Sequence, residues 1–396
     1  MAMKKNTDFT PALVLGNGVT VLGTARALRR SGIRAYCISR DLGFVRYSRY
    51  CRTFSSGKGR LTEDGDLRNY LQTLPIERAV LIPCSDHWLE EVAALNSQDG
   101  GHFVSSTPGL PVVQLLTDKQ KFYEKLADLG IPHPFTAPIG NIEDLDTIDD
   151  HCFEHAFLKP TNSQKFFRTF RVKALKAGSR KKAREHYERV QSAGLSVMLQ
   201  EFIPGPADQH YFIDGFIDRG GQPKGLFARR RLRINPPDFG NSSFMRSVAV
   251  EEVLPAWESL KDLLDRIEYR GIFSAEFKKD PRDNVFKLLE VNARPWWYIE
   301  FAASCGVNVV EMAYQDALGE DVTPQMEYAT GIGCVYPYFD LDPCREAYRR
   351  GELTAREWLS SWVTSRQAVV SITDPLPTVA FCLWLARLKL KQILSR

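Results

Sequence analysis

Ile272-Phe-Ser-Ala-Glu-Phe-Lys-Lys279 and Val285-Phe-Lys-Leu-Leu-Glu-Val-Asn-Ala-Arg294, joined by Asp280-Pro-Arg-Asp-Asn284, decide how this chain folds. Both runs read as strands, and the turn-forming residues between them close a hairpin. Side chains alternate along a strand, so Glu290, Asn292 and Arg294 share one face while Val291 and Ala293 share the other. With the turn centred near Asp283, Glu276 falls opposite Glu290. Two carboxylates across a ladder, roughly 5 Å apart at the β-carbons, repel one another unless something neutralises them. A hard divalent cation does so: oxygen ligands from Glu276, Glu290 and Asn292 suit Mg²⁺, with Mn²⁺ as a substitute, and Mg²⁺ typically adds waters and substrate phosphates to one or two carboxylates. Arg294, one step along the same face, is placed to meet the charge of a transferring phosphoryl group. The competing reading is a solvated strand face with a paired arginine.

Upstream, Ala12-Leu-Val-Leu15 reads as a buried strand running into Gly16-Asn-Gly18, then a helix over Val21 to Ser31 and a second strand over Ile33 to Ser39. Ala79-Val-Leu-Ile-Pro83 supplies another strand, and the β-turn-α-β unit opens a parallel, Rossmann-like layer. The glycines do not make a dinucleotide fingerprint, because Val21 stands where the third glycine should be and no acidic ribose ligand ends the second strand. Nicotinamide chemistry therefore rests on Gly16 and Gly18 alone. Thr117-Asp118-Lys119 starts a helix that ends at Gly130, and a domain boundary is placed near residue 115. Ala156-Phe-Leu-Lys-Pro160, Ser196 to Ile203 and Gln209 to Ile217 read as further strands, and Val307 to Leu318 as a helix. The basic run from Lys165 to Arg189 reads as a solvated helix face.

The chain has 396 residues, 44% hydrophobic and 25% charged, with a net charge of +4. This is an ordinary globular composition, long enough for two or three domains, without the clustered basic and aromatic residues that nucleic-acid binding needs. The eight cysteines form no Cys-x-x-Cys pair, which argues against a zinc site or a disulfide scaffold and fits a reducing cytoplasm. Met1 to Thr10 lacks the apolar core of a signal peptide, and no segment reaches the ~20 apolar residues of a membrane span.

The order of these motifs resembles the ATP-grasp superfamily of carboxylate–amine and carboxylate–thiol ligases over roughly residues 12 to 320. It is carried by the turn at Gly16, Asp118-Lys119, the Leu158-Lys-Pro160 strand, Gln200-Glu-Phe-Ile203 followed by Pro-Gly, Glu276, and Glu290-Val-Asn-Ala-Arg294. The resemblance implies an α/β chain, α+β in its ATP-binding part: a Rossmann-like domain over 1–115, a two-subdomain ATP-grasp domain over 116–320 with a lid at about 155–205, and an extension over 321–396. It implies ATP between two antiparallel sheets, Lys119 and Lys159 on its phosphates, Gln200, Glu201, Phe202 and Ile203 along the adenine, and Asp208, rather than Glu201, on the ribose. Each lysine has a physical counterpart, since a cation in an apolar strand needs an anionic partner. Thr161 to Arg168 stands where the family has a glycine-rich loop over the phosphates but contains no glycine; Ser163, Lys165 and Lys173 are its candidate phosphate donors.

Alternation also puts Arg229, Arg231 and Arg233 on one face, where guanidiniums can hold a carboxylate and its acyl phosphate; the alternative is a charged edge strand. His151 and His155 have helical i, i+4 spacing but no third metal ligand, and His87 lies at a strand's C-terminal end with no supporting partner. The C-terminal stretch Phe381 to Leu394 mixes Trp384 and leucines with Arg387, Lys389 and Lys391, either as a terminal helix docked on the body or as a peripheral membrane contact. The expected protein is a cytoplasmic ligase in which Arg294, Arg231 and Arg233 serve phosphorylation of a small-molecule carboxylate and attack by an amine. A homodimer is expected from the family's habit. The alternatives are a bicarbonate-using, carboxylase-like enzyme and a non-catalytic nucleotide-binding module.

Overall fold

The computed structural model describes residues 10–54, 67–96, 101–237 and 239–394, with no side chains described at 96, 163, 164 and 388–394. The leader-free N-terminus, the Ser163 phosphate donor and the Lys389 and Lys391 side chains read from the sequence lie outside the described set.

Strand Ala12–Leu15 is wholly buried, pairs in parallel with Ala35–Ile38 and Ala79–Pro83, and sits at the centre of a five-stranded sheet that Cys51–Arg52 and Phe103–Val104 complete at its edges. Helix Gly18–Arg30 crosses over from it, starting three residues earlier than the apolar periodicity suggested because Gly18, at φ +73°, turns the chain directly into the helix. Cys37 and Cys51, on neighbouring strands of this sheet, are paired as a disulfide, and the other six cysteines are free; one pair is not the disulfide scaffold that the cysteine spacing argued against, though it is unlike the reducing surroundings expected from it.

Four antiparallel strands form a small sheet in the order Thr136–Pro138, Val197–Glu201, Ala156–Pro160, Leu175–Lys176. Its core is closed by helix Arg180–Ser192, which buries Ala183, Tyr187 and Val190 and turns its cations outward, where Arg180 and Arg184 reach Asp150 and Asp146. The segment expected to be a loop, Thr161 to Arg168, is instead mostly helix, Ser163–Phe170, begun by the Asn162 side chain accepting from Lys165 N–H (2.9 Å). An N-cap asparagine and the absence of glycine give the helix both a start and good propensity.

The seven-stranded large sheet runs Phe286–Asn292, Gly271–Lys279, His210–Ile217, Pro223–Asn235, Asn241–Val248, Gly333–Val335, Arg366–Gln367. The last two strands come from the C-terminal extension, so residues past 320 complete the sheet that carries the hairpin. Two buried carboxylates fasten this extension. Asp340 accepts from Arg233 Nε (2.8 Å) and Nη2 (2.6 Å), Ser243 Oγ (2.7 Å) and Trp362 Nε1 (2.8 Å). Asp374 accepts from Arg26 Nε (3.1 Å) and Ser48 Oγ (2.7 Å) of the N-terminal layer. One continuous apolar core accordingly runs from Val14 and Leu22 through Phe301 and Val310 to Tyr336 and Phe381. Among the described residues no helix is long and apolar enough to cross a membrane.

Candidate active site

The hairpin forms as alternation requires. Glu276 stands opposite Glu290 and Ser274 opposite Asn292, with a register shift just after Glu276. Glu276 and Glu290 line a cavity of about 420 Å³ between the small and large sheets, together with Asn292, Arg294, Lys119, Lys159, Lys173, Arg231 and the hinge Gln200 to Ile203.

One end of the cavity is apolar. Phe202 and Phe157 stand with Phe239 in edge-to-face contacts of 5.7 and 4.9 Å, and Ile203 and Leu289 complete the slot. Of the hinge's backbone donors, Glu201 N–H is given to Phe135 O (2.9 Å) and Phe202 N–H to His155 O (2.6 Å). The Glu201 carboxylate, still at the cavity wall, takes Phe135 N–H (3.2 Å) and the Arg282 guanidinium. Gln200 turns to Lys159, accepting from its Nζ at 3.0 Å and donating to Thr136 Oγ1 at 2.9 Å.

The other end is charged. Lys159 Nζ also donates to the Tyr123 hydroxyl (2.8 Å), and Lys119, first residue of the helix begun by the Asp118 carboxylate, donates to Pro160 O (3.1 Å). Burial pushes both ammonium groups down to about 8; neighbouring Lys159 lowers Lys119 further, while Glu290 and Glu276 work against the shift at Lys159. Lys173 lies in the bend before Leu175, not on a strand, and its Nζ donates to Asn241 Oδ1 (2.8 Å), tying the small sheet to the large one. Two lysines near pKa 8 give a definite pH dependence. A group at 8 keeps its proton at pH 7 and is only about one-tenth charged at pH 9, whereas an ordinary lysine near 10.4 stays charged throughout. KM for ATP is therefore expected to be flat below pH 7.5 and to rise by roughly tenfold towards pH 9, as initial rates at saturating co-substrates will report. A flat profile to pH 9.5 would place these lysines away from the phosphates.

At the carboxylates, His210 Nδ1 donates to Glu276 Oε1 (2.9 Å) and Arg231 Nη2 to the same atom (2.9 Å), while Arg231 Nε is held by Ser242 Oγ (2.8 Å). Burial pushes the Glu276 carboxyl up, but the Arg231 guanidinium and the His210 bond outweigh it and hold it well below the usual carboxylate range. Burial drives His210 down to about 4, so at neutral pH it is an uncharged donor. Glu290 is exposed to the cavity and makes no hydrogen bond or ion pair among the described residues. Both contacts on Glu276 land on Oε1. That leaves Glu276 Oε2, the Glu290 carboxylate and the Asn292 amide oxygen as an oxygen-only donor set, sparse enough to require water and phosphate oxygens as well. This fits Mg²⁺. No cluster of three His, Cys, Asp or Glu side chains able to hold a metal by itself occurs among the described residues.

Arg294 is held from the N-terminal layer: Nε and Nη2 donate to the two oxygens of Asp86 at 2.6 and 3.2 Å, and Nη2 also reaches Asn292 Oδ1 (3.1 Å). Asp86 opens helix Asp86–Asn96, just after strand Ala79–Pro83. The sequence reading passed over it for its neighbour His87, which is exposed and outside the cavity lining. His210, Phe239 and Tyr123 were likewise missed. His210 was legible in principle, since it shares strand parity with Phe212, the residue paired with Glu276.

Two expected site residues lie elsewhere. Asp208 is absent from the cavity lining, and its carboxylate is paired with Arg230 Nη2 (2.9 Å), so the ribose role assigned to it has no support in this geometry. The three arginines do not form one substrate clamp. A register shift between Arg231 and Arg233 breaks their alternation, so Arg233 is carried out of the cavity to Asp340. Arg229 faces the cavity but is locked on buried Asp214 (Nη2 to Oδ1, 3.2 Å). Arg231 lines the cavity with Nε and Nη2 held by Ser242 and Glu276, and its Nη1 makes no hydrogen bond among the described residues.

No protein-family model matches the sequence. The D-aspartate ligase of Enterococcus faecium is 22% identical over 369 residues, covering 82% of this chain and 80% of that protein. Among solved structures, N5-carboxyaminoimidazole synthetase from Staphylococcus aureus superposes with a TM-score of 0.64 at 13% identity, covering 86% of each chain. The biotin carboxylase domain of Hydrogenobacter thermophilus 2-oxoglutarate carboxylase, solved with MgADP and bicarbonate, gives 0.63 at 15% identity over 82% of this chain and 73% of that one. The chain thus has the ATP-grasp fold of these enzymes.

Proposed function

We propose that this protein is an ATP-dependent carboxylate–amine ligase that joins an amino-acid carboxylate to a small-molecule amine at the cavity between its two antiparallel sheets. The observation that carries the reading is the pairing of an unpartnered Glu290 with Glu276 at the charged end of a cavity whose other end is an apolar slot. Adenine lies in that slot, against Phe202, Ile203 and Phe239, with the Ile203 N–H and Glu201 carbonyl along its edge. Lys119 and Lys159 hold the phosphates, and Lys173 closes the small sheet over them. Glu290, Glu276 and Asn292 hold Mg²⁺, which neutralises phosphate charge. The lid comprises the small sheet and its helices, and so begins near residue 135, ahead of the 155 expected from the sequence.

Arg231, through the Nη1 that Ser242 and Glu276 leave open, holds the carboxylate. An oxygen of that carboxylate attacks the γ-phosphorus, the bond to the β-phosphate oxygen breaks, and ADP leaves. The amine then attacks the acyl carbon of the acyl phosphate, loses a proton and expels inorganic phosphate, leaving an amide. Arg294, fixed by Asp86, meets the charge on the transferring phosphoryl group. Catalysis is chiefly positioning and charge neutralisation, as phosphoryl transfer generally is. The carboxylate is taken to be an amino acid because a relative of this chain, 22% identical, is a D-aspartate ligase. ATP as co-substrate makes the cytoplasm the place of action.

A second reading is favoured by the carboxylase-type structural neighbours, in which bicarbonate takes the place of the organic acid. Phosphate release with ATP, Mg²⁺ and a panel of D- and L-amino acids, with and without bicarbonate and candidate amines, separates the two. The ligase is expected to release phosphate only with an amino acid and an amine together, with a product heavier by the amide-linked residue. Release that follows bicarbonate alone overturns it.

A further inference from the structure

The C-terminal helix Pro375–Leu394 is apolar on two faces, only one of which is covered. Pro377 and Phe381 are buried, and Phe381 packs on Phe44 (5.1 Å), Tyr336 and Tyr338 (both 5.9 Å). The opposite stripe, at spacings of three and four residues, is Leu376, Val379 and Leu383, which are 59%, 52% and 56% exposed; Trp384, with its ring 5.9 Å from Phe381 at the edge of the covered face, is 51% exposed, and Ile372, just before the helix, 96%. A helix apolar all round is normally enclosed by its own protein or by lipid, and here the described chain encloses half of it. The charge around this stripe has one sign. From Pro375 to Arg396 the sequence contains Arg387, Lys389, Lys391 and Arg396 and no acid. Arg387 follows Leu383 by one turn and is exposed. The nearest acid, Asp374, is buried against Arg26 and Ser48 and contributes no negative charge to the surface.

We infer that this helix docks the enzyme on an anionic lipid surface, its Leu376–Val379–Leu383 stripe and Trp384 entering the headgroup boundary while Arg387 meets lipid phosphates. Interfacial helices combine these features: an uncovered apolar stripe, an aromatic residue at its border and cations without acids. The helix lies on the surface and does not span it, in keeping with the absence of a crossing helix among the described residues. A second copy of the chain is the poorer occupant. A two-fold contact sets the same patch against itself, and this acid-free helix offers a second copy none of the negative charge that an anionic lipid surface supplies. The inference does not depend on the substrate assignment, and its readout is separate from catalysis.

Flotation of the full-length protein with phosphatidylcholine vesicles, and with vesicles containing phosphatidylglycerol, tests it. The protein is expected to float with the anionic vesicles and to stay at the bottom with the neutral ones, with binding weakened as salt is raised. The double substitution Val379→Glu with Leu383→Glu, both on the outer stripe, is expected to lower the bound fraction by about tenfold or more while leaving ATP turnover unchanged. Arg387→Glu should lower it by a smaller factor. Equal flotation of wild type and the double variant, or no flotation of either, overturns the inference. A wild-type dimer that the double variant converts to monomer, without vesicle binding by either, assigns the stripe to self-association and overturns it too.

Discussion

Glu290→Gln is expected to reduce substrate-dependent ADP release to roughly a thousandth of the wild-type rate, the scale seen when one preorganised charge-stabilising group is removed. The substitution keeps shape and removes one negative charge. Because Glu290 is exposed and bonded to nothing among the described residues, the free protein loses no contact, and its thermal unfolding should be unchanged. The paired experiment on Glu276→Gln should look different. That carboxylate anchors His210 and Arg231, so its neutralisation disturbs the cavity wall as well as the metal site, and both activity and melting temperature should fall. Mg²⁺ dependence completes the comparison: Glu290→Gln should need a higher Mg²⁺ concentration for half-maximal residual activity. Full ADP release by Glu290→Gln would refute the metal assignment.

Asp340→Ala carries the largest expected effect on stability. The carboxylate is fully buried and accepts from both forks of Arg233, from Ser243 and from the Trp362 indole, while Cys344 Sγ lies 3.2 Å away. Removing one partner of a buried pair leaves the other uncompensated, at a cost of about 3–5 kcal/mol. The damage should be local first, because Asp340 joins the strand Pro223–Asn235 to helices Pro337–Arg349 and Ala355–Val363. Limited proteolysis after residue 336, and a lower urea midpoint, are the readouts. Arg233→Met tests the same pair from the other side and also tests the sequence expectation that Arg233 serves catalysis. It should lose stability and retain kcat/KM in the surviving folded fraction. A stable but inactive Arg233→Met would restore Arg233 to the active site.

The sequence was most informative where a rule of short range sufficed. Glu276 opposite Glu290 needed only a turn position and strand alternation, and the Asp118 cap placing Lys119 at a helix start needed only three residues. The same alternation failed at Arg233, because a register shift after Arg231 is set by how the neighbouring strand Asn241–Val248 pairs and not by the arginines themselves. Thr161 to Arg168 was misread for a related reason: family position suggested a loop, while the Asn162 cap and helix-compatible residues favour a helix.

The amino-acid sequence by itself thus determined which chemistry-bearing residues share a strand face and, through that, the charged end of the site. Tertiary structure alone decided which of them are free to act. Arg294 meets Asp86 across 208 positions and Arg233 meets Asp340 across 107; half-exposed Asp86 fixes one guanidinium at the cavity wall, and buried Asp340 withdraws the other. Alternation reaches a few residues along one strand. The choice of partner for a buried charge is made by whichever distant element the folded core brings within hydrogen-bonding distance.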